Sequence, residues 1–523
     1  MFWVCLLGTP LFVWGQAASS PYNTNDFLIR FVPGTPRLVI DRLLAEYGAV
    51  EQKMSPVSEV RLWYIATFPT PGPIAFSNIS EVIGNANSQP EVSGAGENYH
   101  VMLTPLTPAT PAPWDPEGPC GYKLVNPGGN HPVKVVIMDT GVNYNCPQLK
   151  KRFAPDAPGQ DFVNHDAVPL DDHGHGTHIA GLIDRVAQAG GTLPIQFVSF
   201  KTHDNQGKGE LFNIVLAVDE AIRTEVNVIN MSFTYQAANN AMGSNTVMTN
   251  LNNLTGNNKN GFKIPPFQSA IEEAEEKGIL VLAAAGNFSQ DNDTAPFPSF
   301  PASFPCPNIL AVASGNCQKQ LSPFSNWGKS RVDIVAPGES LEATGMDCST
   351  AIKTGTSQAN ALVGGVAAVL GTHFDNDPFD YERVKCAILQ GAETVAGLQT
   401  KVRSSGVVHA PNALGIFLLN ACLPEGHPSS RPVSGTQPSK GSVVLAPNPF
   451  AEVLRVQFEV EQPELAQVSI WDAQGKQVFA RQWAVEQGQQ EMLWEPAGAS
   501  PGLYTVRVHT SGGVYTSKAV LLH

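Results

Sequence analysis

Charge is scarce in this chain, and basic charge scarcer still. Only 15% of its 523 residues are charged, with 32 Lys and Arg against 46 Asp and Glu, for a net charge of −14. No basic patch dominates, which argues against nucleic acid as a partner and gives no attraction to an anionic lipid surface. Beyond the first residues, no run approaches the roughly 18 apolar residues of a membrane span. The eight cysteines match no zinc-ligand spacing. What remains is an ordinary soluble composition, 42% hydrophobic. The chain is too long for one core, and at roughly 150 residues per domain it holds about three or four units.

Met1 to Ala17 reads as a secretory signal. The apolar runs Phe2–Leu7 and Leu11–Trp14 precede Gly15 and Ala17, small residues suited to a cleavage site. A basic n-region is missing, since no Lys or Arg precedes Arg30. Export permits disulfides. With Cys5 in the signal, seven cysteines remain, so at least one thiol is free or pairs outside the chain. Cys306–Cys317 and Cys386–Cys422 are candidate pairs, with the connectivity left open.

Residues 25–105 form a small α/β unit. Asp26–Phe31 and Leu62–Ile65 read as strands; Pro36–Tyr47, closed by Gly48, and Ile74–Ala86 read as helices. The Pro/Thr segment Thr104–Pro111 is an extended, exposed joint. Residues 119–422 alternate apolar runs with helical patterns. The strands are Lys134–Met138, Gln196–Phe200, Asn227–Met231, Ile279–Ala284 and Ile309–Ala313. The helices are His175–Asp184, Leu211–Arg223, Phe267–Lys277 and Thr356–Leu370. This pattern predicts an α/β parallel sheet covered on both faces. A Pro/Ser/Gly linker occupies 423–442. Residues 443–523 switch to short alternating strands at Val453–Val460, Gln467–Trp471, Lys476–Phe479 and Leu503–Val508, the pattern of an antiparallel β-sandwich.

Three segments of the central unit supply an Asp, a His and a Ser in that order. Asp139 closes an apolar strand before Thr140-Gly141, where α/β proteins bind ligands. His175 opens a helix between Gly174 and Gly176, which remove side-chain bulk around the imidazole. Ser357 opens another helix, beside backbone N–H donors. Alone, Asp139 reads as a turn aspartate and Ser357 as an N-cap. Together they are the parts of an activated hydroxyl, with His as base and Asp holding its tautomer. Asn287, after Ala283-Ala284-Ala285-Gly286, adds an amide suited to an oxyanion. His173, His175 and His178 follow an i, i+2, i+5 spacing that makes no helical metal pair, and His178 reads as a packed residue.

The central unit resembles the subtilase family of serine endopeptidases over about 290 residues. The likeness rests on Asp139-Thr140-Gly141, His175-Gly176-Thr177-His178-Ile179-Ala180-Gly181, Ala284-Ala285-Gly286-Asn287 and Gly355-Thr356-Ser357. It extends to Val228–Ser232, Phe300–Ser303 and Ser325–Gly328. The resemblance implies a subtilisin-like three-layer fold in which Asp139 orients, His175 is base then acid, Ser357 is the nucleophile and Asn287 holds the oxyanion. Ser232, Phe233 and Thr234, with Ala284, Ala285 and Gly286, would be the substrate-binding edges for an extended peptide. It implies no cofactor for the chemistry. Structural calcium is common in the family, and Asp161, Asp166 and Asp171 are candidate ligands. Gln358 and Ala361 depart from the family's usual Met and Pro. Thr234 stands where Gly is usual and should narrow the pocket. Residues 235–265 are an Asn-rich insertion expected to restrict access as a mobile loop.

The first unit resembles the family's inhibitory propeptide, implying self-cleavage between about 100 and 118. The last resembles the type A sorting domain of type IX secretion, through Ala446–Phe450, Asp472–Lys476 and Pro501–Tyr504. The resemblances imply a secreted or surface endopeptidase, exported by Sec and then across the outer membrane. Its partners would be protein or peptide substrates, its own propeptide and the type IX machinery. Two other readings stay open: a self-processed subtilase scaffold, blocked by its propeptide and acting as a binding protein, and a surface adhesin whose last unit binds ligand.

Overall fold

The computed structural model describes residues 22–70, 74–103, 129–188, 193–236, 265–374, 378–418, Cys422 and most of 443–521. The expected signal, the Pro/Thr joint, nearly all of the Asn-rich insertion and the 423–442 linker lie outside the described residues. Among the described residues, no helix is long and apolar enough to cross a membrane.

The first unit runs β1 (Tyr22–Phe31), α1 (Arg37–Tyr47), β2 (Ala49–Met54), β3 (Arg61–Ile65), α2 (Ile79–Ser88) and β4 (Val92–Met102). Helix α2 starts later than the periodicity predicts, because Asn78 caps it by accepting from the amide of Glu81. Strand β4 was not among the expected strands, and it pairs with a strand of the central unit.

That unit is built on β5 (Val133–Asp139), β6 (Gly159–Asp161), α3 (His175–Gln188), β7 (Ile195–Lys201), β8 (Lys208–Glu210), α4 (Leu211–Arg223), β9 (Val228–Met231) and β10 (Tyr235–Gln236). It continues through α5 (Pro266–Glu276), β11 (Leu280–Ala284), β12 (Ser299–Phe300), β13 (Ile309–Gly315), β14 (Ile334–Pro337), β15 (Leu341–Thr344) and β16 (Thr350–Lys353). It ends with α6 (Thr356–Gly371), α7 (Tyr381–Gln390), β17 (Glu393–Thr394), β18 (Gly406–Val407) and α8 (Ala410–Leu418). One sheet, ordered β17-β18-β14-β13-β11-β9-β5-β7-β6, is parallel except for the β17 edge. The five apolar runs expected to be strands are its centre, buried on both faces by helices.

Helix α6 is buried along nearly its whole length, as its apolar, small-residue sequence demands. It packs beside α3 under the sheet. A Cβ on Gly365 would come within 2.6 Å of Val186 Cβ, so the two helices approach as closely as they do only because that residue is glycine. Their N-termini, bearing His175 and Ser357, are thereby held side by side.

The last unit has a three-stranded antiparallel sheet of β19 (Val443–Ala446), β20 (Leu454–Val460) and β23 (Gly488–Trp494). The other sheet has order β22-β21-β24-β25, from β21 (Glu464–Trp471), β22 (Gln477–Val485), β24 (Gly502–Thr510) and β25 (Gly513–Leu521). Their inner faces share one core, with Leu454, Val456, Phe458 and Val460 pointing inward in alternation.

Cys386 and Cys422 are bonded as expected. The Cys306–Cys317 pair is not formed: Cys306 is a free, buried thiol, Cys317 is bonded elsewhere, and a bond between Cys146 and Cys348 had no signal in spacing.

Candidate functional site

The C-terminal ends of β5, β9 and β11 converge with the N-termini of α3 and α6, the crevice where parallel sheets bind ligands. Asp139 is fully buried at the end of β5. Nδ1–H of His175 donates to both of its carboxylate oxygens, at 2.8 and 2.9 Å. Gly176 permits this approach: a Cβ there would sit 2.1 Å from Gly141 O and 3.1 Å from Asp139 Cβ. Burial pushes the Asp139 pKa upward. The charge and hydrogen bond of His175, with help from His203 and the Thr140 amide, outweigh burial and hold it below the usual carboxylate range.

Ser357 lies in the first turn of α6. Its hydroxyl donates to Ser232 O at 2.7 Å, and no hydrogen bond joins it to His175 in this state. Ser232 Oγ returns a bond to Ser357 O at 3.1 Å, and Asn230 and Asn360 brace Ser232 from below. Asn287 follows β11. Its Oδ1 accepts from Thr356 N and Oγ1, which leaves its NH₂ as the free end of the amide. Gln358 and Ala361 are buried in α6.

Several neighbours carried no signal of their own in the sequence. Lys201, buried, reaches Thr140 O at 2.9 Å and pairs with Asp172. His203 is fully buried under the site, and burial pushes its pKa down to about 4; its Nδ1 meets Thr202 Oγ1, and its ring lies 4.7 Å from Phe233. His178 is packed as expected, with Nε2 donating to Leu341 O and Ala351 O, and its pKa falls to about 3 through burial.

The candidate calcium carboxylates are each engaged by neighbouring polar groups. Asp171 is saturated by Thr140, His173, Gly174 and Thr177, and Asp161 by Val163 and Asn164, while Asp166 accepts from Val168 N. Among the described residues, no group of three or more His, Cys, Asp or Glu could hold an ion.

The site is occupied by the chain itself. His100, Val101 and Met102 of β4 pair antiparallel with Glu210, Gly209 and Lys208 of β8. Leu103 N donates to Gly207 O at 2.9 Å, and Met102 bridges to Thr234 on the other side. Thr234 thus offers an edge to β4. Ala284–Gly286 pair with none of the described residues of β4, and the amide of Ala285 donates to Val312 O within the sheet. The opposite edge is Lys208–Glu210. Around this strand the first unit docks on α4 and α5. Arg30 pairs with Glu273 at 2.7 Å, and Asp219 accepts from Ser55 and the amides of Val57 and Ser58. Asn98 Oδ1 accepts from Phe212 N, capping α4 from the other unit.

The description "Subtilase family" matches residues 130–414, and "Secretion system C-terminal sorting domain" matches 444–522. Subtilisin-like protease 2 of Plasmodium falciparum (isolate 3D7) is 30% identical over 311 residues, 56% of this chain but 21% of that relative, so the chain spans about a fifth of its length. Thermitase of Thermoactinomyces vulgaris is 32% identical over 272 residues, 51% of this chain and 83% of the relative. The crystal structure of the epidermin leader peptide processing serine protease of Staphylococcus aureus superposes with a TM-score of 0.55 at 18% identity. It covers 75% of this chain and 98% of that one, a likeness of fold alone. With the subtilase description matched over more than half its length, around a crevice that gathers the Asp, His, Ser and Asn of its motifs, the chain belongs to the subtilase family.

Proposed function

We propose that the chain is a secreted serine endopeptidase that cleaves peptide bonds through a Ser357 acyl-enzyme. The observation that carries this reading is the buried Asp139–His175 pair, which fixes the imidazole with Nε2 free to act as base. Ser357 Oγ attacks the scissile carbonyl carbon as its proton passes to His175 Nε2. The oxyanion is held by the Asn287 NH₂ and the Ser357 N–H at the start of α6. The C–N bond breaks as His175 returns the proton to the leaving amine. Water then enters by the same base and releases the acid. Self-cleavage beyond Leu103 separates the first unit, which blocks the groove until it leaves. The sorting domain directs export through the type IX machinery after Sec passage, to the surface or the medium.

A second reading, a scaffold that stays blocked and serves as a binding protein, is favoured by one observation: the groove is filled by β4 while Ser357 bonds to Ser232 O. Fluorophosphonate labelling of the secreted chain, with intact mass and a Ser357→Ala control, separates them. Labelling of a species lacking the first hundred or so residues, absent in the control, supports the peptidase. Processing without labelling supports the blocked scaffold. Neither in folded protein overturns the assembled triad.

A further inference from the structure

Helix α8 is the last element of the central unit, yet its residues from Asn412 to Phe417 are all buried. A helix that is apolar on every side needs cover on every side. One side packs against α7, where Ala413, Leu414 and Phe417 join the core of the central unit. The other side is covered by β24 and β25 of the last unit. In β25, Ala519 and Leu521 enter the core of the sandwich. Val520, between them, therefore points from the outer face of its sheet, the face on which Val514 is 57% exposed. Val520 is nonetheless fully buried, and its cover is α8. A Cβ on Gly415 would lie 2.6 Å from both methyl carbons of Val520, so the valine rests on the helix backbone in a notch that only glycine leaves open. The strand that presents Val520 is itself fixed. Val520 N donates to Asn448 Oδ1 at 2.9 Å, and Val520 O accepts from Phe450 N at 2.9 Å. The bond between Cys386 of α7 and Cys422 fastens the chain just beyond α8, before the 423–442 linker begins.

We propose that α8 is a docking site for the sorting unit of the same chain, closed by Val520 on Gly415, and that this contact holds the two units together when the linker between them is cut. The central unit then leaves the sorting unit in two steps, a cut in the linker and the opening of this contact. Neither step depends on Ser357 acting as a nucleophile.

The test uses the full chain carrying Ser357→Ala, with a cleavage site for a sequence-specific protease placed in the linker. After cutting, the two pieces are expected to elute together on size exclusion, and a dilution series gives their Kd. Val520→Ala loses two buried methyl groups and is expected to raise that Kd about tenfold. Gly415→Val fills the notch and is expected to separate the pieces on cutting. Val514→Ala, on the exposed part of the same sheet face, is expected to change the Kd less than about threefold. One decisive substitution lies in a helix of the central unit and the other in a strand of the sorting unit, so a folding failure in either leaves the other to decide. Separation of the parent pieces on cutting, a parent-like Kd in folded Gly415→Val or Val520→Ala, or a Val514→Ala effect as large as that of Val520→Ala overturns the proposal.

Discussion

Asn287 Oδ1 accepts two hydrogen bonds from one residue, Thr356, at 3.0 Å from its amide and 2.8 Å from its hydroxyl. The amide group of Asn287 therefore cannot flip without losing both, and its NH₂ faces the first turn of α6 beside Ser357. Donors preorganised in this way stabilise charge that appears only in the transition state. Replacing Asn287 by Ala is expected to lower kcat by ~10²–10³ with little change in KM, the usual result of losing one oxyanion donor. Thr356→Val removes one of the two tethers, and at about 1 kcal/mol for a neutral hydrogen bond it should lower kcat by roughly five- to tenfold. Steady-state kinetics on a peptide substrate would decide. A change confined to KM in either variant would place Asn287 in binding rather than in oxyanion stabilisation.

The bond between Cys146 and Cys348 joins residues 202 apart in sequence. Cys146 lies in the loop after Asp139, and Cys348 in the turn between β15 and β16. That hairpin supplies both carbonyls, Leu341 O and Ala351 O, that hold His178 on the helix opened by His175. The bond thus ties together the supports of two triad residues. Cys146→Ala with Cys348→Ala is expected to cost about 2–4 kcal/mol. For a domain of this size that is a Tm lower by roughly 5–10 °C. Calorimetry of the double variant against its parent measures it, and an unchanged Tm would mean the bond adds no stability.

How much of this could be read from sequence depended on where each element finds its partners. The five apolar runs of the parallel sheet were legible because burial on both faces writes itself into every position. Asp139, His175, Asn287 and Ser357 were legible because each sits at the end of such a run or helix among small residues. Strand β4 was not. Gly94, Gly96, Glu97 and Asn98 make it look like surface, yet Glu97 and Asn98 are buried, with Asn98 spent on the amide of Phe212. Its partners in β1 are 61 and more residues away and those in β8 106 and more, so no local period records them. Cys306 misled for the related reason that closeness in sequence to Cys317 says nothing about the buried cluster, with Phe304 and Ile309, that keeps its thiol unpaired. Lys201 and His203 follow a strand that was found, but only the packing of Asp139 beside them gives them meaning.

Asp26 of the first unit lies opposite Glu210 of the central one, and it sets the last prediction. Asp26 is nearly buried, and its Oδ1 has no hydrogen-bond partner. Burial, and then the charge of Glu210, raise its pKa to about 6, against a smaller lowering by the hydrogen bond to Asn98. Burial moves Glu97, Asp219 and Glu273 at the same interface in the same direction. A carboxyl raised in the folded state binds its proton more tightly there than when unfolded. The unfolded chain releases that proton near pH 4, the docked one near pH 6. Between those values the folded state holds more protons, so its stability falls as pH rises, and the loss is complete above about pH 6. Docking of the first unit is therefore expected to be firmer in mild acid than at pH 8. Asp26→Asn removes this titration. Between pH 5 and pH 8 the variant should lose about 1 kcal/mol less stability than its parent. Urea denaturation of both chains in the Ser357→Ala background, at those two pH values, gives the comparison. Equal pH dependence in the two would show that Asp26 is ionised in the docked state without cost, and that the pressure to release the first unit comes from elsewhere in the interface.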